Sequence, residues 1–212
     1  MISFLQRYWP ELADGLVNHV VLTAIAVGVG FALALVLTLL IVRWRRLETP
    51  IVAVTGTLYT IPSLALFALL VPITGLSLTS AEIGLVSYTL LILVRNTLAG
   101  LDGVPTDIVE AADGMGQTRF QRLVRVELPL AVPLIIAGLR IATVTTIGLV
   151  MVTAVIGEGG LGQVLLRGFN LQHWDLVYGA LVMMILLAIA ADLLLVGTGR
   201  LLTPWQRRTG TR

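Results

Sequence analysis

Glu110-Ala111-Ala112-Asp113-Gly114-Met115-Gly116, followed after nine residues by Val126-Glu127-Leu128-Pro129, is a polar stretch with legible helix signals in a chain that is otherwise almost continuously apolar. Pro105 suits the first turn of a helix, and Thr106 and Asp107 can cap it. Residues 108–112 favour a short helix that Gly114 and Gly116 interrupt. Thr118 and Gln121 have the spacing of a capping box. Arg119, Arg122 and Arg125 recur at threes, and Pro129 is expected to end this second, amphipathic segment. The result is a helix-turn-helix elbow lying parallel to a membrane surface. An interfacial helix whose arginines meet anionic headgroups is the plainer reading. The functional one is a transporter subunit that takes mechanical work from a soluble partner.

The surroundings make the membrane unavoidable. Of 212 residues, 57% are hydrophobic and 12% charged, and mean hydropathy is +0.97, far from a soluble domain. At about 20 residues per crossing the chain suffices for five or six spans and no catalytic domain besides. Apolar runs place five, at roughly 16–42, 51–74, 83–101, 130–156 and 176–197. The fold class is therefore all-α, with about five transmembrane helices. Phe4, Tyr8 and Trp9 resemble an interfacial aromatic anchor, as do His173, Trp174 and Asp175. His19 reads as a polar residue at an interface.

Arginine sets the expected orientation. Arg43, Arg45 and Arg46 follow span one; Arg119, Arg122 and Arg125 follow span three; Arg200, Arg207, Arg208 and Arg212 follow span five. Arg7 and Arg167 alone fall on the other side. Positive loops stay cytoplasmic, so the N-terminus is expected outside, the C-terminus inside and the Glu110 loop in the cytoplasm.

Several chemistries are excluded by composition. There is no cysteine, and His19 and His173 stand alone, so thiolate catalysis and a metal centre have no residues to use. All 14 basic side chains are arginine, so a P-loop lysine is missing and any ATP must be bound by another chain. No catalytic residue, cofactor or nucleic-acid partner is expected.

Within the spans, Pro62 removes a backbone hydrogen bond in the middle of span two, where Thr57, Tyr59, Thr60 and Ser63 supply hydroxyls. Such a broken, hydroxyl-lined helix suits a permeation path or gate, although proline kinks also occur in structural spans. Residues 157–162 contain four glycines, which preclude a stable helix. They form either a simple turn or an outer gate or dock contacted through Glu158, Gly159, Gly160 and Gly162. Arg95, Arg140 and Asp192 are intramembrane charges near the cytoplasmic ends of their spans. Similar depth makes Arg140 and Asp192 an expected ion pair, with Arg95 as the competing partner.

The spacing Glu-Ala-Ala, three residues, Gly, nine residues, aliphatic, any residue, Leu-Pro resembles the EAA signature of ABC-importer permeases, with Val126 in place of the usual isoleucine. In that family the loop is the coupling helix seated in a cleft of the cytoplasmic ATPase. The resemblance implies that role for Glu110, Ala111, Ala112, Asp113, Gly114 and Gly116, within a coupling loop at about 102–129 of a single transmembrane domain spanning 1–212. Tyr59-Thr-Ile-Pro-Ser-Leu-Ala-Leu-Phe67, Val94-Arg-Asn-Thr97 and Ile156-Gly-Glu-Gly-Gly-Leu-Gly-Gln163 are similar to glycine betaine and related osmoprotectant permeases. That resemblance implies a type I permease fold in a bacterial cell membrane and a pathway that includes Tyr59, Thr60, Pro62, Ser63, Arg95 and Asn96. It also implies two ATPase subunits, a second permease subunit, identical or paralogous, and an extracytoplasmic binding protein. Methionine-type permeases share a similar glycine-rich segment, so another small solute stays open.

A self-contained channel or secondary transporter is the alternative of another class. It would need acidic residues near the midplane or an internal repeat, and the sequence offers neither. Because no native cysteine interferes, single cysteines at positions 59, 60 and 63 can be labelled cleanly. Polar maleimides are expected to reach all three; the protection pattern of lipid-facing positions at these sites would refute a pathway role.

Overall fold

The computed structural model describes residues 2–205, with side chains from Tyr8 onward. Arg207, Arg208 and Arg212 lie outside the described residues, as do the side chains of Phe4 and Arg7. The chain forms helices α1 (Ile2–Arg43), α2 (Glu48–Thr60), α3 (Ser63–Thr74), α4 (Leu78–Asp102), α5 (Thr106–Gly114), α6 (Arg119–Arg122), α7 (Leu128–Val152), α8 (Leu161–Asn170) and α9 (Trp174–Leu202). Four of the helical stretches are long and apolar enough to cross a bilayer, five if α2 and α3 count as one broken span. At 1.5 Å per residue α1 is ~63 Å long, well beyond the ~30 Å hydrocarbon core, so its ends reach past the membrane.

The expected second span, 51–74, is not one helix. α2 and α3 meet at 98°, because Pro62 cannot donate to the helix and pushes Ile61 into an extended conformation, φ −65° and ψ 129°. The Tyr88 phenol donates to the freed Ile61 carbonyl. The Thr57 and Thr60 hydroxyls stay within their own helix, donating to the Ala53 and Thr57 carbonyls at 2.9 and 2.8 Å.

α4 is the centre of the bundle, packing on α1, α2, α3 and α7. Half of its apolar stretch is buried, against 6% for α9, which therefore lies at the periphery. Lipid tails are as apolar as leucine, so spans associate through close packing of small residues rather than through hydrophobic exclusion. A methyl group on Gly138 of α7 would stand 2.6 Å from Asn96 Cβ of α4, and one on Gly30 of α1 would collide with the Thr89 hydroxyl. Leu22, Ala26, Phe67, Leu85 and Val150 fill one half of the core; Ala34, Leu93, Val94 and Ala142 fill the other.

His19 is fully buried within the bundle, and its Nε2 donates to the Ile147 carbonyl at 2.9 Å, joining α1 to α7. Arg140 takes Asp192 as its partner, with Nε and Nη2 donating to the two carboxylate oxygens at 2.7 and 2.9 Å. This fork ties α7 to α9 within two membrane-length helices, where a charge without a partner is costly. Asp192→Asn and Arg140→Gln are each expected to lower the yield of folded protein in detergent. The double variant should recover part of it, because no single charge is then left unmatched; equal yields for all four proteins would remove the pair from the fold's support.

Candidate functional site

Three regions carry the candidate residues, and each is an interruption of regular helix. The first is the elbow between α4 and α7. Residue 105 precedes α5, whose first turn has no side-chain cap, so the expected capping by Thr106 or Asp107 is absent. Gly116 turns the chain at φ +77°, a left-handed conformation that any side chain makes costly. Its N–H donates to Asp113 O at 2.9 Å, while the Gln117 N–H reaches Ala112 O at 3.2 Å. The capping box at α6 is complete: the Thr118 N–H donates to Gln121 Oε1 at 2.9 Å and the Gln121 N–H to Thr118 Oγ1 at 3.3 Å.

Pro129 does not end this segment. Helical structure runs from Arg119 to Ile156, passing residues 123–127 as a wide turn in which the Leu128 N–H bonds to Leu123 O. Pro129 has no N–H for the Arg125 carbonyl, and the wide turn shifts the pairing before the proline is reached. Arg122 clamps the elbow from inside, its Nη1 donating to Asp113 and its Nε to Glu127, both at 2.6 Å. Arg45 spans Asp102, at the end of α4, and Glu48 at 3.5 Å, binding the root of the elbow to the α1–α2 turn. The pairs Arg122–Glu127, Arg122–Asp113 and Arg45–Asp102 are not visible as motifs, since their members lie five, nine and 57 residues apart.

Glu110, Ala111, Asp113, Gly114 and Gly116 are all exposed on the elbow; Ala112 is buried. Ala112 thus packs within its own chain and is the member of the motif least available to a partner. Sequence reading missed Met115 and Phe120, which expose 72% and 74% of their surface beside the motif. Large apolar side chains held out from a polar elbow mark an interaction surface, and their position beside the turn was the available signal.

The second region is the α2–α3 break. Tyr59 and Thr60 are exposed, Ser63 is half-buried, and the Tyr59 ring meets Tyr88 edge-on at 6.0 Å. Arg95 is exposed on α4, whereas Asn96 turns towards α7 and donates to Ile92 O at 2.8 Å.

The third region is the glycine-rich segment between α7 and α8. Gly159 and Gly160 adopt φ +150° and +52°. A methyl group on Gly159 would lie 2.6 Å from Ala154 N, and one on Gly160 would lie 2.5 Å from His19 N. These glycines therefore lock the segment against α1 and the end of α7 rather than loosening it. Gln163 Nε2 donates to the Ala154 carbonyl at 3.1 Å, and Arg167 of α8 pairs with Glu11 of α1 at 3.0 Å. With Asn18 and Glu158 they line an open cavity of about 580 Å³.

A bundle of apolar helices that holds a clamped polar elbow at one end and a rigid, polar-lined cavity elsewhere is built as the membrane subunit of a multi-component transporter. Residues 26–208 match the binding-protein-dependent transport system inner membrane component, and the chain belongs to that family. It is 40% identical over 198 residues to the osmoprotectant import permease protein OsmW of Salmonella typhimurium, covering 91% of this chain and 92% of the relative. It is 34% identical to the glycine betaine/carnitine/choline transport system permease protein OpuCB of Bacillus subtilis, covering 96% and 94%. The methionine ABC transporter MetNI in an inward-facing conformation superposes with a TM-score of 0.80 at 22% identity, over 91% of this chain and 96% of that one, which shows the fold. The protein is accordingly a multi-pass inner-membrane permease of an ABC importer.

The glycines of the elbow separate by geometry. Gly114 is helical with open space around its Cβ position, whereas Gly116 sits at φ +77°. Gly116→Ala is expected to destabilise the elbow by about 1–2 kcal/mol, read as a lower melting temperature in detergent, and Gly114→Ala to leave it unchanged.

Proposed function

We propose that this permease imports a quaternary-ammonium osmoprotectant such as glycine betaine, carnitine or choline. An extracytoplasmic binding protein delivers the solute, and cytoplasmic ATPase subunits drive its passage. The observation that carries the reading is the elbow: exposed Glu110, Ala111, Asp113, Gly114 and Gly116, flanked by Met115 and Phe120, held in one shape by Arg122 and a capping box. Work can pass from a soluble motor to a membrane bundle only through a part stiff enough to transmit displacement. The Arg45–Asp102 contact extends that stiffness to the turn that precedes α2, so movement of the elbow reaches the helix that ends at Thr60, before the Pro62 break.

The chain has no lysine for a P-loop, which supports ATP hydrolysis on a separate subunit. Arginine distribution supports an outside N-terminus and a cytoplasmic elbow. Glu158, Gly159, Gly160 and Gly162 then face outward as a dock of fixed geometry rather than a moving gate, because a methyl group at Gly159, Gly160 or Gly162 would collide with backbone. A path lined by Tyr59, Thr60, Pro62, Ser63 and Arg95 runs beside the break, with Asn96 setting the spacing of α4 and α7. A second permease subunit, identical or paralogous, closes its open side. The solute class is supported by the names of the two relatives.

Gly114→Trp tests the elbow without straining it, since the position is helical and open. The variant is expected to melt like the parent yet to lose at least ~10-fold in ATPase association and in ATP-driven glycine betaine uptake by proteoliposomes. Normal assembly and uptake would sink the coupling assignment, and uptake by the permease without ATPase subunits would sink the importer mechanism.

A further inference from the structure

Two arginines lie at one depth of the bundle, and only one is neutralised. The contact between Gly138 and Asn96 sets α4 and α7 side by side at that level, two residues from Arg140, whose charge Asp192 matches. Arg95, next to Asn96, is exposed, and among the described residues no carboxylate pairs with it. A lone cation inside a span is expensive beside lipid and is found where it faces water or an anionic group.

The same face of α4 carries an aromatic site. Arg95 follows Tyr88 by seven residues, about two helical turns and ~10 Å along the axis, so the two positions align. Tyr88 is held by its hydrogen bond to the Ile61 carbonyl, and it holds the Tyr59 ring edge-on at 6.0 Å and 69°. Tyr59 keeps 38% of its surface exposed. Between the two levels α2 offers Gly56, whose missing side chain leaves only Leu91 nearby, 3.9 Å from where a Cβ would stand. An aromatic ring, a gap and an unmatched guanidinium thus follow one another along one face.

We propose that Tyr59 and Arg95 form a two-point site within the pathway for a zwitterion, the Tyr59 ring receiving a quaternary ammonium group and the Arg95 guanidinium its carboxylate. Cation–π attraction acts within about 6 Å of a ring, and a guanidinium matches a carboxylate through paired N–H donors. Seven residues of helix set the level of Arg95 ~10 Å from that of Tyr88, whose ring touches Tyr59, and a flexible arginine side chain can shorten that separation towards a solute held at Tyr59. Choline offers the ammonium but no carboxylate, and its charge is repelled by Arg95. The site therefore prefers carboxylate-bearing betaines and carnitine to choline. This inference rests on the osmoprotectant reading and on a path along α2 and α4.

The test is equilibrium binding of radiolabelled glycine betaine and of choline to the purified permease–ATPase assembly without binding protein, alongside uptake by complete proteoliposomes. The parent is expected to bind glycine betaine at least tenfold more tightly than choline. Arg95→Gln should abolish that preference with choline binding unchanged or improved, Arg95→Lys should retain its direction, and Tyr59→Ala should weaken both solutes. Equal affinities in the parent, or an unchanged preference in Arg95→Gln, would overturn the site while normal glycine betaine uptake left the transport reading standing. Complete proteoliposomes that import neither solute would overturn the transport reading and the site with it. If Arg95→Gln fails to assemble, the Arg95→Lys and Tyr59→Ala results decide: a reversed preference in the first, or unaltered binding in the second, refutes the proposal.

Discussion

A peptide carbonyl that loses its helical partner inside a bilayer has no water to replace it, and that constraint governs where this chain can depart from helix. Between the two halves of the broken span, Tyr88 supplies the missing donor at Ile61. At the end of α7, Gln163 donates to the Ala154 carbonyl, and the Glu158 N–H closes on Thr153 O at 3.2 Å. Before Pro129 the repair is internal, with the backbone widening by one residue so that Leu128 bonds to Leu123. Each interruption is thus held by named groups, and the candidate pathway, dock and coupling elbow stand at these three places.

Charge is handled by the same economy of partners. Arg140 and Asp192 neutralise each other between α7 and α9, Arg122 bridges two carboxylates in the elbow, and Arg167 meets Glu11 where α8 leans on α1. Against that background Arg95 has no carboxylate partner among the described residues.

Glycine plays opposite roles in the two loops. At Gly116 the positive φ makes a turn with open space around it; at Gly159 and Gly160 positive φ coincides with backbone atoms within 2.6 Å of a would-be Cβ. A glycine-rich stretch reads as a flexible hinge when only composition is known. Here the segment between α7 and α8 is the more tightly packed of the two, so its glycines hold it in place rather than let it swing.

Composition and hydropathy were enough to establish a helical membrane protein, because a span must be apolar along its length and that requirement is written residue by residue. The EAA spacing, the Thr118–Gln121 capping box and the disruptive Pro62 were legible for the same reason, each being a local rule over a few positions. Depth along the spans even selected Arg140 and Asp192 as partners. What the sequence left open depends on which surfaces meet: the 98° angle at Ile61, the burial of His19 beneath Gly160 and of Ala112 inside its own motif, the Arg122 clamp, and the edge-on contact of Tyr59 with Tyr88. These are decided by packing between segments far apart in the chain. A helix of given sequence can turn any face towards a neighbour until close contacts such as Gly138 on Asn96 and Gly30 on Thr89 select one rotation.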